Sequence, residues 1–219
     1  MDGNIKGLII SFVFLLIIII GTAFLAKNRI FSGDTTREIE YTGFTCWWII
    51  AMTYFTRPQY PAIVSVSVAV ILFVSHQMDI FRIPESSSHR NYGFMYFPLS
   101  LFVLSILCFG WKMPAYAGAL GVFIMGFGSN FSALAGKTIG RHEFSVFGTK
   151  KSIEGTVVML IVSFIVVFII LSKYNPSARI PRSFAMSAAA TAVDALTPHG
   201  LDYLTVPISA SLLFYFLFV

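Results

Sequence analysis

Between residues 126 and 156 the chain gathers side chains suited to holding phosphate. Lys137, Arg141, Lys150 and Lys151 are four of its fifteen cationic residues, and six glycines are spread among them. Clustered Lys and Arg match phosphate oxygens, and glycine lets a backbone approach a ligand closely. The same composition would serve an ordinary cytoplasmic loop made basic by membrane topology. The length of the stretch, its glycine content and the inclusion of Glu143 and Glu154 set the phosphate reading level with that one. Ser152 is placed to cap a helix whose first turn holds Glu154, where the helix dipole favours an acid. Exposed amides at that helix start, with Lys150 and Lys151 beside them, would make a phosphate site.

The acids that could act with these cations lie downstream. Asp194 interrupts a run of small apolar residues, and an ionisable side chain within a membrane segment points to function. It is about one turn from the end of that run, so a structural partner such as Arg182 or a capping role is the competing account. Asp202 follows a short break containing Pro198, His199 and Gly200. Two carboxylates flanking a break suit Mg²⁺ held jointly with nucleotide phosphates. His199 reads as a polar interface residue, and no neighbouring His or Cys gives it zinc-like spacing. Arg82 and Glu85, three residues apart, would be an interfacial ion pair if they stood alone, as would Arg37 with Glu38 and Glu40.

The elements that must position these groups are membrane helices. Hydrophobic residues make up 57% of the 219, charged residues 11%, and the mean hydropathy is +0.81. A soluble domain would carry roughly 25% charged residues. We expect an all-α, polytopic bundle of about seven helices (six to eight) folding as one integral membrane domain over residues 1–219. Apolar runs occupy residues 8–26, 43–56, 61–75, 94–111, 115–135, 157–171, 184–196 and 203–219, with polar loops at 27–41 and 76–92. Cys46 and Cys108 sit in apolar runs and read as small buried hydrophobes. With the N-terminus outside, the inner loops hold nine Lys and Arg against six on the outer side. That orientation puts the loops bearing Arg37, Glu85, residues 136–152 and Asp202 on the cytoplasmic face. The net charge of +5 matches this retention of cations on loops, and nothing points to nucleic acid.

Taken together, the residues resemble a known family. Lys151 to Thr156 resembles the K-S-x-E-G-[ST] motif of the CTP-dependent lipid and polyprenol kinases, which include dolichol kinase, phytol kinase and the CTP-type diacylglycerol kinase. Gly136 to Arg141 resembles their G-[RK]-x-x-G segment. Val193 to Leu196 followed by Leu201 to Pro207 is similar to their V-E-A and D-N-L-T-V-P pattern. Arg82 and Glu85, followed by Gly93 and Tyr96, resemble an R-x-x-E and G-x-x-Y element. The related phosphatidate cytidylyltransferases share part of this, and the match spans about residues 76–210.

The resemblance implies phosphoryl transfer from CTP, or another nucleoside triphosphate, to a membrane lipid alcohol, with Mg²⁺ as cofactor. Lys137, Arg141, Lys150 and Lys151 would clamp phosphates with Ser152, Arg82, Glu85 and His199 nearby. Asp194 and Asp202 would hold the metal, and Glu154 would orient the lysines or act as base. The chain departs from the pattern where the family reads G-D-G-x-A-D: Ser129 and Ala133 replace the two aspartates, leaving Ser129 and Asn130 as polar contacts. Tyr203 stands for the asparagine of D-N, and Arg37 to Tyr41 lacks the Lys and His of an R-K-x-x-H element. Lost carboxylates are lost charge, which favours a non-catalytic relative that binds lipid or lipid phosphate or serves in a membrane complex; formation of a CDP-lipid at the same site is the other alternative. A homodimer is compatible with such a chain.

Overall fold

The computed structural model describes residues 2–28, 30–78, 93–146, 149–177, 179–198 and 200–219. These form two compact units, Met1–Lys112 and Met113–Val219.

The first unit holds α1 (Gly3–Lys27), α2 (Gly33–Tyr54), α3 (Gln59–Gln77) and α4 (Gly93–Gly110). α1 packs on α2 and α3, and α3 on α4. The first of these helices inverts the usual pattern of a water-soluble protein. α1 buries Asn4, Gly7, Ser11 and Thr22 and turns Ile9, Phe12, Leu16, Ile17 and Ile20 outward. Hydrocarbon is as apolar as leucine, so helices associate through small residues and interhelical hydrogen bonds. Trp47 Nε1 donates to Ser11 Oγ at 2.8 Å, and the Thr56 amide donates to Asn4 Oδ1 at 2.9 Å.

The polar stretch 27–41 is not the long loop its composition suggests. Ser32 caps α2 by accepting from the Thr35 amide, and the helix takes in Arg37, Glu38 and Glu40. Both glutamates are buried. Charge hid this helix, because its apolar run begins only after its first turns.

In the second unit, α5 (Ala115–Phe123), a π-helical turn (Ile124–Ser129) and α6 (Asn130–Ile139) form one 25-residue rod. An antiparallel hairpin follows, β1 (Glu143–Val146) with β2 (Thr149–Ser152), in a register that sets Glu143 opposite Ser152 and Phe144 opposite Lys151. Then come α7 (Ile153–Tyr174), α8 (Arg179–Leu196) and α9 (Asp202–Phe218). α5 packs on α9, α6 on α7, α7 on α8 and α8 on α9, around Val122, Met125, Met159, Val167, Met186 and Val206. Residues 136–152, expected as a polar loop, are therefore mostly a helix end and a hairpin.

Four helical stretches among the described residues are long and apolar enough to cross a bilayer: Gly3–Lys27, Gln59–Gln77, Ala115–Ile139 and Ile153–Tyr174. Met95–Gly110 and Asp202–Phe218 are apolar but shorter. Among the described residues the hairpin is the one departure from helix, and the chain is an all-α integral membrane protein.

α5 and α9 cross backbone to backbone at Gly121. A methyl group there would stand 2.1 Å from the Pro207 carbonyl oxygen and 2.2 Å from Ser211 Oγ. Backbone cannot yield as a side-chain tip would, so Gly121→Ala is expected to destabilise the second unit by about 2–3 kcal/mol, read as a lower unfolding midpoint of the purified chain in detergent.

Candidate active site

Four chain segments deliver one residue each to a common point in the second unit. Ser129 ends the π-helical turn, Lys151 lies on β2, Asp194 sits in the last turn of α8, and Asp202 begins α9. Ser129 Oγ is 2.9 Å from Asp194 Oδ1 and 3.2 Å from Asp202 Oδ2. A hydroxyl has one proton, so it donates to one carboxylate at a time.

Each carboxylate has one oxygen anchored and the other turned to Ser129. Asp202 Oδ1 accepts from the Gly200 amide at 2.8 Å and the Tyr203 amide at 3.2 Å, leaving Oδ2 for Ser129. Asp194 Oδ2 meets Lys151 Nζ at 3.1 Å, leaving Oδ1 for Ser129. Lys151 also donates to the Asp194 carbonyl, where a cation complements the helix C-terminus. The pair is buried, its side chains 8% and 7% exposed.

Local sequence explains how these groups arrive. β-strand alternation sends neighbouring side chains to opposite faces. Lys150 therefore points outward, 80% exposed and 3.5 Å from Glu143, while Lys151 points in. Ser152 then caps α7 by accepting from the Gly155 amide at 3.0 Å, as its position predicts. α8 stops at Thr197 and Pro198, since proline cannot continue a helix with the preceding residue in the α region. Gly200 has φ 95°, a conformation open to glycine at little cost, and that turn aims its amide at Asp202. The π-helical turn, a feature frequent at functional sites, faces Ser129 toward both acids.

Around this point lies a cavity of about 320 Å³. Ser129, Lys137, Lys150, Lys151, Asp194 and Asp202 are on its wall, and so is Ser152. The remaining expected site residues are placed elsewhere. Asn130 is buried behind the wall, donating to the Gly126 carbonyl and accepting from the Tyr203 hydroxyl. Glu154 is bound to His142, 2.8 Å from Nδ1 and 3.3 Å from the amide, so it clasps the hairpin to α7. Arg141 is exposed and is not part of the wall. Arg82, Glu85 and His199 lie outside the described residues.

Two residues noted in the sequence without a role in the site contribute to it. Glu143 reaches the wall because the hairpin register carries it there. Tyr203 joins the site through a hydroxyl that its place in an apolar run conceals. The partner of Asp194 is Lys151, whereas Arg182 donates to Asn175 Oδ1 at 2.9 Å.

The donor set suits a hard cation. The two Ser129-facing oxygens are at most about 6 Å apart, which at an effective dielectric near 20 means repulsion on the order of 3 kcal/mol. Two carboxylates and one ammonium leave an excess negative charge, and one or two carboxylates is what Mg²⁺ takes when phosphates supply further ligands. Removing the ammonium would leave a buried acid uncompensated. Lys151→Met is therefore expected to destabilise the fold by about 3 kcal/mol, measured by thermal or denaturant unfolding. Lys150→Met, which removes only an exposed pair, is expected to change stability by less than about 1 kcal/mol.

No protein-family model and no solved structure matches the chain. A phytol kinase of Synechocystis sp. is 30% identical over 188 residues, covering 83% of this chain and 78% of that protein. The aligned length takes in most of the chain. The chain belongs to the phytol kinase family of membrane lipid kinases.

Proposed function

We propose that the chain transfers a phosphoryl group from CTP, or another nucleoside triphosphate, to a polyprenol-, phytol- or diacylglycerol-type alcohol at the cytoplasmic face. The observation that carries this reading is the pair of preorganised carboxylate oxygens, from α8 and α9, meeting at Ser129 inside a cavity edged by lysines. Phosphoryl transfer asks mainly for positioning and charge neutralisation, and the arrangement is suited to both.

Lys137 and Lys150 on the cavity wall are placed to meet phosphate oxygens. Lys151 serves in a different capacity, holding Asp194 in place and offsetting its charge. Asp194 and Asp202, with the Ser129 hydroxyl, are the residues that would hold Mg²⁺, which when bound neutralises charge on the transferring phosphate. In the transfer, the acceptor oxygen bonds to the γ-phosphorus, the bond to the β-phosphate oxygen breaks, and the hydroxyl proton passes to a cavity carboxylate. Glu154 is engaged by His142 and is the weaker candidate for base.

The resemblance sets Ser129 and Ala133 where the family carries aspartates. The geometry supports catalysis without them, since Asp194 and Asp202 direct their charge to Ser129 from the other side. Purified chain with labelled CTP, Mg²⁺ and a panel of long-chain alcohols is expected to give a lipid phosphate and CDP. Asp202→Asn should lower kcat at least about 100-fold. Release of pyrophosphate would instead identify cytidylyl transfer. No turnover, with nucleotide binding unchanged in Asp202→Asn, would overturn both.

A further inference from the structure

Two consecutive residues of the α5–α6 rod bond two consecutive residues of α9. Ser129 meets Asp202 at 3.2 Å, and the Tyr203 hydroxyl donates to Asn130 Oδ1 at 3.1 Å. The first contact borders the cavity and must change partners whenever a ligand or proton arrives. The second is behind the wall, with Asn130 4% and Tyr203 8% exposed.

We propose that Asn130 and Tyr203 are positioning residues, the fixed rung that keeps Ser129 opposite Asp202 and so sets the spacing of the two acids. This rests on the reading of Asp194 and Asp202 as holders of a divalent cation. Asn130 is tied at both ends: its Nδ2 donates to the Gly126 carbonyl at 2.9 Å, inside the π-helical turn that presents Ser129. Tyr203 is tied too, because its amide donates to Asp202 Oδ1 at 3.2 Å. A continuous path of hydrogen bonds thus runs from the π-helical turn through both side chains to the anchored oxygen of Asp202. Neither side chain touches the cavity, so both act through their neighbours. The competing account is that the bond merely joins α6 to α9, as buried polar pairs in membrane bundles do.

The test is a Mn²⁺ titration of the purified full chain in detergent, read by electron paramagnetic resonance beside its thermal midpoint. Tyr203→Phe removes one hydroxyl and keeps the ring. It is expected to raise the Mn²⁺ Kd about 10-fold with the midpoint close to that of the parent. Asn130→Ala removes the same rung together with its bond to the Gly126 carbonyl, so it should weaken Mn²⁺ at least as much, and the double variant should be no worse than Asn130→Ala alone. Parent-like Mn²⁺ affinity in Tyr203→Phe overturns the proposal. So does a loss matched by unfolding, or multiplying effects in the double variant. A parent chain that binds no Mn²⁺ overturns it as well. If the parent binds Mn²⁺, the variants weaken it and no lipid phosphate forms, the positioning role stands and the kinase reading falls.

Discussion

The second unit is organised by one buried ion pair. Lys151 and Asp194 are both nearly removed from solvent, and charges so placed are costly unless each has a partner. The ammonium meets the Asp194 carboxylate and the carbonyl of the same residue, so one cation closes the end of α8 and balances its acid. For Lys151 to be there, β2 must pair with β1 and run directly into the cap of α7. For Asp194 to be there, α8 must end where Thr197 and Pro198 end it. The fold of this end of the bundle and the electrostatics of its cavity are the same problem.

That coupling explains why the cavity oxygens are directed without a ligand. Amides at the start of α9 hold one oxygen of Asp202, and Lys151 holds one of Asp194. The other two oxygens converge on Ser129, which the π-helical turn presents. The close crossing of α5 and α9 at Gly121 brings the rod near enough for α9 to take part. Little side-chain entropy is left to lose when a charged ligand binds, which is the physical content of preorganisation.

Much of this was legible from residue types. The apolar runs marked the helices, Ser152 and Glu154 marked the start of α7, and Asp194 and Asp202 stood out as acids in apolar surroundings. The motif resemblance and the phytol kinase relative agree on the family. What stayed hidden was direction. Lys150 and Lys151 are chemically identical in sequence, and only a strand between them separates an exposed cation from a buried one. Glu154 looked ready for the cavity but is held by His142, a contact that depends on where the hairpin returns. Ser129 looked like a lost acid, and its meaning changes once α8 and α9 bring two carboxylates to it. The early turns of α2 were concealed because burial of Glu38 and Glu40 runs against hydropathy.

The hairpin imposes a parity on this part of the chain. Neighbouring side chains on β2 take opposite faces and the strand runs straight into the Ser152 cap of α7, so one extra residue between Lys151 and Ser152 would turn Lys151 away from Asp194, whereas two would restore its face. Only the inward position reaches Asp194, and only the outward one leaves a mobile cation at the cavity edge.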